Sequence, residues 1–440
     1  MTVAADAESA PFDWDAPAVR RGRRVVFAVL AVIFVLCQFQ RSVTGVLGPT
    51  LRAEMGLTAE ELGWITGAFF WGVAVMQIPS GILFDHYGPR LTVSVSLVAG
   101  VAGGGLFAVG RDFWTLTTGM ALLGLGTSAV LMGAIVLIGR WYAPRRFATM
   151  AAAMMSLGYV GNLLATQPFV ELIKLIEAAG FAHGWRIGFA AAIAGMLATA
   201  GAILWIVRDA PPGSPWDRRR PEPLIEVVKG LREVFRHPAM IGLCGAAVVG
   251  YSTNFALRGL WLGTYMLDVH GMDADARGTA LLVMALFGTG GIFMAGWLAG
   301  RARSPRPVVI GFIATTGLCL AVLVAWPGIP TAALMAVLFL FSSVSSFFPA
   351  VLEHGRSLFD DRLRGRSLTS INVWVFIGVG VTQPITGYVL GAFPVSAGGA
   401  LGEDAYRALF GYLLIPVTIG VTLYARFGTY APAAPRRTEK

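Results

Sequence analysis

Twelve apolar runs constrain this chain more than any other feature of its sequence. They occupy residues 25–48, 61–84, 92–109, 113–138, 147–171, 186–207, 239–267, 278–300, 307–326, 330–352, 368–392 and 405–426. About 20 apolar residues, rising 1.5 Å each in a helix, cross the roughly 30 Å hydrocarbon core of a bilayer. Lipid offers the backbone no hydrogen-bond partners, so each run must satisfy its own amides as a helix. The runs are too long and too continuously apolar for the alternating strands of a barrel.

Composition agrees with that reading. Only 13% of the 440 residues are charged, against about 25% in soluble domains, and the mean hydropathy is +0.68. The 55 glycines suit helices packed closely in lipid. A formal net charge of +9 is no nucleic-acid footprint, because the basic residues follow the loops. With the N-terminus in the cytoplasm, segments on that side hold 26 of the 34 Lys and Arg, including Arg20–Arg24, Arg140–Arg146, Arg218–Arg220, Arg301–Arg306 and Arg356–Arg366. The opposite loops carry Arg52, Arg111, Lys174, Arg186, Arg277 and Arg407. Positive charge is retained inside, so both termini are expected in the cytoplasm, at a bacterial inner membrane.

Residues 1–19 are polar and rich in Ala, Pro and Asp, and read as a disordered tail with no cleavable signal. Residues 428–440 read as a C-terminal tail. Cys37, Cys244 and Cys319 all lie inside apolar runs, without disulfide or metal-ligand spacing. They read as small buried hydrophobes.

The longest break, residues 208–238, opens with DAPPGSPWDRRRPEP. Leu224, Val227, Val228, Leu231 and Val234 then recur at helical spacing beside Lys229, Arg232 and Arg236, as in a basic amphipathic helix on the inner membrane surface. This linker joins residues 20–207 to residues 239–427, and the two parts resemble each other. Gly63 matches Gly278 and Gly81 matches Gly296 at an offset of 215, while Thr166-Gln167-Pro168 recurs as Thr382-Gln383-Pro384 at 216. The expected fold is all-α and integral to the membrane, with twelve transmembrane helices in two pseudo-symmetric six-helix bundles.

The residues GILFDHYGPR after the second run resemble the signature of the major facilitator superfamily at Gly81, Asp85, Gly88 and Arg90. GWLAGRARSPR after the eighth run is similar to a degenerate second copy, and Gly184–Arg186, GWR, also resembles the family. The resemblance implies a secondary transporter working by alternating access. It implies gating roles for these residues: the glycines permit close packing and a turn, and Asp85 and Arg90 lock a cytoplasmic contact in the outward-open state. The fourth run, MALLGLGTSA, has no arginine near Met120, and the fifth, SLGYVGNLLATQP, lacks the glycine–proline motif of drug antiporters. Both departures weaken a drug-efflux reading. Arginines in the first and seventh runs, Arg41 and Arg258, instead resemble those of organophosphate:phosphate antiporters and organic-anion symporters, where they bind the anionic group of the substrate.

Physical reasoning reaches the same pair independently. An arginine at bilayer depth costs roughly 2.5–3.5 kcal/mol on insertion scales. Gln38, Arg41, Gly45 and Gly48 share one helical stripe, and Tyr251, Asn254, Arg258 and Trp261 repeat its spacing. No run holds an Asp or Glu near its middle; Glu171, Asp268 and Glu353 lie near run ends. An anionic substrate would supply the missing counter-charge, and the guanidinium fork suits carboxylate or phosphate. The competing account is that either arginine snorkels to the interface. Tyr159, Asn162 and Thr166, and likewise Asn372 and Gln383, fall on faces suited to a cavity or to interhelical hydrogen bonds.

Gly124-Leu125-Gly126 and Gly288–Gly291 lie inside runs and read as helix packing, not nucleotide loops. Met150 and Met154 leave a copper importer as an alternative, alongside a neutral-nutrient importer, a nitrate-type porter and a membrane sensor. No HExxH or nucleophile elbow points to an enzyme, and neither a cofactor nor a resident metal is implied. The expected partners are a small anionic molecule, a coupling ion (proton or sodium) and the bilayer; the chain reads as a monomer. From the charge asymmetry, a C-terminal fluorescent-protein fusion is expected to fluoresce and a C-terminal alkaline phosphatase fusion to be inactive. An active phosphatase there would invert the topology.

Overall fold

Glycine and proline mark several of the places where the helices of this chain break. The computed structural model describes residues 12–214, 224–359, 361–396 and 399–428. Among them the chain is all-helical, with one isolated bridge between Val395 and Leu401. The helices are α1 (Pro17–Ser42), α2 (Thr44–Met55), α3 (Ala59–Val109), α4 (Phe113–Trp141), α5 (Pro144–Leu164), α6 (Gln167–Ala178), α7 (Gly184–Ile206), α8 (Leu224–Arg236), α9 (Ala239–Ala256), α10 (Leu262–Asp268), α11 (Ala274–Arg301), α12 (Arg306–Ala325), α13 (Thr331–Val344), α14 (Phe348–Leu358), α15 (Asp361–Gly391) and α16 (Glu403–Phe427).

Eleven segments among the described residues are long and apolar enough to cross a membrane. The runs expected at 61–84 and 92–109 fall together in the 51-residue α3. A straight helix of that length would measure about 75 Å, more than twice a bilayer core. It is not straight: Gly88 adopts φ 79 and ψ 157 inside it, so α3 is two helices joined across a kink. Only glycine enters that region readily, and a methyl group at Gly88 would stand 2.6 Å from the Asp209 carboxylate.

Four further runs are interrupted. The first breaks at Val43 between α1 and α2. Pro49, inside α2, cannot donate to the Gly45 carbonyl one turn earlier. The fifth breaks between α5 and α6, where Pro168 opens the second piece, and the tenth between α13 and α14, where Pro349 does so. The seventh passes from α9 into α10 through a five-residue π-turn, Leu257–Trp261.

In the linker, α8 forms as the spacing requires. Lys229, Arg232 and Arg236 are exposed and Val234 is buried. The proline- and arginine-rich stretch 215–223 lies outside the described residues, as do the side chains of Leu224, Val227, Val228 and Leu231. Of the two expected tails, residues 1–11 and 429–440 also lie outside; α1 begins at Pro17, and Asp15 just before it pairs with Arg23 at 3.4 Å.

The two parts of the chain meet on the side away from the termini, through residues too small to keep them apart. A methyl group at Gly45 would stand 2.7 Å from the Arg258 carbonyl oxygen, one at Gly263 2.5 Å from that of Gly45, and one at Gly63 2.6 Å from that of Gln383. Gly278 packs on Gln167 in the same manner. The matched glycines Gly63 and Gly278 thus pack on the matched Thr-Gln-Pro segments, each on the copy in the other half, whereas Gly81 and Gly296 face open space. Ion pairs lie across the same seam. Arg52 Nη1 meets Asp268 Oδ2 at 3.0 Å, with both side chains largely buried, and Lys174 pairs with Asp275. Arg52 and Asp268 are 216 residues apart, the offset of the repeat. Asp268 also accepts from the Tyr406 hydroxyl at 2.7 Å and the Leu401 amide at 3.1 Å.

Breaking one partner of a largely buried ion pair costs about 3–5 kcal/mol. Asp268→Asn is therefore expected to favour separation on this side, read as a longer distance between spin labels at positions 55 and 270. An unchanged distance distribution would show that the glycine contacts alone hold the seam.

Candidate substrate site

Arg41 occupies the last turn of α1, just before the break at Val43. Its guanidinium carbon lies 5.4 Å from the ring centre of Phe70, 5.2 Å from Tyr251, 4.9 Å from Phe255 and 5.0 Å from Phe376. Phe70 belongs to α3; the other three rings come from α9 and α15, in the second half of the chain. The rings brace one another: Tyr251 stacks on Phe255 at 4.8 Å, and Phe70 meets Phe255 edge-on at 5.2 Å. Each such contact contributes about 0.5–2 kcal/mol to holding a cation. Arg41 Nε and Nη2 are closed off from solvent with no acceptor.

Arg258 sits in the π-turn, a feature frequent at functional positions. Its Nε donates to Asn254 Oδ1 at 3.4 Å, and Asn254 Nδ2 donates to Ser345 Oγ at 2.6 Å. Arg258 lies within electrostatic reach of Arg41, Tyr159 and Tyr251. Two arginines on interrupted helices of opposite halves, with two tyrosines, thus form one cluster. Neither arginine has an ion pair with an acid among the described residues. The helices approach closely here because Gly45 rests against the Arg258 and Gly259 backbone, and the Thr44 hydroxyl donates to the Gly259 carbonyl at 3.2 Å.

Gln38, Arg41 and Asn372 line one small cavity, together with Gln77, Thr127 and Phe376. The other expected residues are placed differently. Asn162 accepts from Ser42 Oγ at 2.6 Å, tying α5 to α1. Gln383 is buried and donates through Nε2 to the Phe255 carbonyl at 3.1 Å. Trp261 is fully buried, its Nε1 donating to Thr386 Oγ1 at 2.8 Å. In the loop motif, Gly81 faces open space and Asp85 is exposed. The Arg90 amide donates to Asp209 Oδ1 at 2.8 Å, and its Nε to the Leu204 carbonyl at 2.8 Å, so in this conformation Arg90 holds the end of α7 within its own half.

Sequence reasoning named Tyr251 but passed over the other three rings around Arg41, those of Phe70, Phe255 and Phe376. Their spacing carried a signal: Phe255 lies one turn after Tyr251, and Phe376 one turn after Asn372. Gln40 was also missed. Its amide is fully buried with neither polar atom partnered.

The Major Facilitator Superfamily family model matches residues 30–383. The chain belongs to the major facilitator superfamily. This is a family of transporters, not of enzymes. Among superfamily members, the chain is 28% identical over 254 residues to the "Probable nitrate/nitrite antiporter NarK1" of Thermus thermophilus, covering 55% of this chain and 53% of that one. It is 22% identical over 342 residues to the D-galactonate transporter of Escherichia coli O6:H1, covering 68% and 74%. The matches to the first curated relatives span only about half to two-thirds of their length. Among solved superfamily structures, a bacterial homologue of the human lysosomal transporter Spinster, inward-facing and unoccupied, superposes with a TM-score of 0.76 at 19% identity, covering 95% of this chain and 100% of that one. That likeness is one of fold.

Trp261→Phe removes the donor to Thr386 while leaving the cavity lining untouched. It is expected to lower stability by about 1 kcal/mol, read as a lower Tm, with anion binding retained. Lost binding at an unchanged Tm would place Trp261 in the site.

Proposed function

We propose that the protein is a secondary transporter of small anions, organic or inorganic, which it binds between Arg41 and Arg258 and carries by alternating access. In this reading the chain crosses the bacterial inner membrane twelve times as two six-helix bundles, with both termini in the cytoplasm. The seam away from the termini is then the periplasmic seal, and the conformation described here opens toward the cytoplasm.

One observation carries the proposal. Two half-buried arginines from opposite halves converge at interrupted helices, within electrostatic reach of each other and with no acid paired to either among the described residues. Like charges held together in low dielectric repel, and an anion between them relieves that repulsion. Interrupted helices at the membrane midplane are where secondary transporters place substrate, because broken turns expose polar backbone to a cavity. Relatives named as carriers of nitrate, tartrate, hexuronate and galactonate support an anionic substrate. The hydroxyls and amides of Gln38, Gln77, Thr127 and Asn372 would then bind the rest of an organic anion.

Arg41→Lys and Arg258→Lys keep the charge and remove the guanidinium geometry. In proteoliposomes, each is expected to reduce counterflow of the transported anion at least tenfold. Anion counterflow at the unaltered rate in both variants would overturn the proposal.

A further inference from the structure

The surroundings of Arg41 restrict the kind of anion it can accept. A guanidinium grips an oxyanion bidentately through one of two edges, Nη1 with Nη2 or Nε with Nη2. Both edges need Nη2. In this structure Nη2 and Nε are closed off without an acceptor, and the rings of Phe70, Tyr251, Phe255 and Phe376 stand around the guanidinium carbon at 4.9–5.4 Å. Nη1 is the nitrogen outside that sealed set, and Arg41 lines the cavity. Arg41 therefore offers an incoming anion one nitrogen, not a fork.

We propose that these four rings are specificity-determining residues: they make the site select a planar monoanion, a carboxylate or nitrate group held between Arg41 Nη1 and Arg258, and reject a tetrahedral phosphoryl dianion. The inference rests on the reading that Arg41 binds the transported anion. Two effects set the direction. A doubly charged oxyanion loses far more hydration on entering a low-dielectric site than a singly charged one, and only several charge-assisted donors compensate it. The rings also turn electron-rich faces toward the site, which an anion avoids. A planar group needs fewer donors, and one from each arginine supplies them. Because three of the rings belong to the second half and Arg41 to the first, the restriction depends on how the halves are docked.

The test measures Kd for nitrate, D-galactonate and inorganic phosphate with the purified full-length protein in nanodiscs. In the unaltered protein, the tighter of the two planar anions is expected to bind at least tenfold more tightly than phosphate. Phe376→Leu uncovers part of the guanidinium and is expected to shrink that ratio at least fivefold, while Phe376→Tyr preserves it. Phe70→Leu, on the opposite half, provides the same reading if Phe376→Leu does not fold. Phosphate bound as tightly as the planar anions by the unaltered protein overturns the inference, and so does a ratio unchanged in the folded leucine variants. Arg41→Lys separates the two levels. If it leaves all three affinities unchanged, Arg41 is not an anion ligand and the underlying reading falls. If it abolishes binding while the leucine variants keep the ratio, only the role of the rings falls.

Discussion

The contact on which this structure depends is the close approach of helix backbones through glycine, between the two halves of the chain. At Gly45, Gly63 and Gly263 a single methyl group would stand 2.5–2.7 Å from a carbonyl oxygen across the seam, well inside van der Waals contact. In lipid, apolar side chains gain little by leaving one apolar medium for another, so packing at short range does much of the holding. That packing decides where the chemistry sits. Gly45 rests on the backbone of Arg258, so the contact that closes one face of the molecule also fixes the spacing of the two arginines.

The arginines then face a physical problem that the rest of the site answers only in part. A guanidinium out of water without acceptors is costly, and two of Arg41's three nitrogens are in that condition. Four aromatic rings offset some of the cost but bring no counter-charge. Arg258 has a single neutral acceptor, Asn254. In the proposed function, an anion supplies the counter-charge that these neutral groups lack. The rings do more than stabilise the cation, because they choose which of its donors remains accessible.

Much of the fold was legible in the sequence, and for physical reasons. Hydrocarbon permits few solutions for the backbone, so apolar length alone located the spans. The internal match of Gly63 with Gly278, and of the two Thr-Gln-Pro segments, marked residues that touch across the seam. Repeats of that kind survive where symmetry places them in one contact. Helix interruptions were less legible. Pro49, Pro168 and Pro349 signal breaks, but nothing in Leu257–Trp261 announces a π-turn. Gly45, on the same stripe as Arg41, packs on the backbone of Arg258, while Gln38, Arg41 and Asn372 line the cavity. Periodicity could not separate these from Asn162, Trp261 and Gln383, which sit on equally polar stripes yet spend their hydrogen bonds on neighbouring helices. A helical wheel gives the direction of a side chain and not the partner waiting there.

The central claim is that one anion sits between Arg41 and Arg258, and its most direct test is crystallographic. Anomalous diffraction from crystals soaked in a brominated small carboxylate would locate the anion by its bromine. The account predicts a single dominant peak in the cavity lined by Gln38, Arg41 and Asn372, with carboxylate density within hydrogen-bond distance of Arg41 Nη1 and of the Arg258 guanidinium. Carboxylate density that contacts neither arginine, or an anion held outside the seam between the halves, would contradict it.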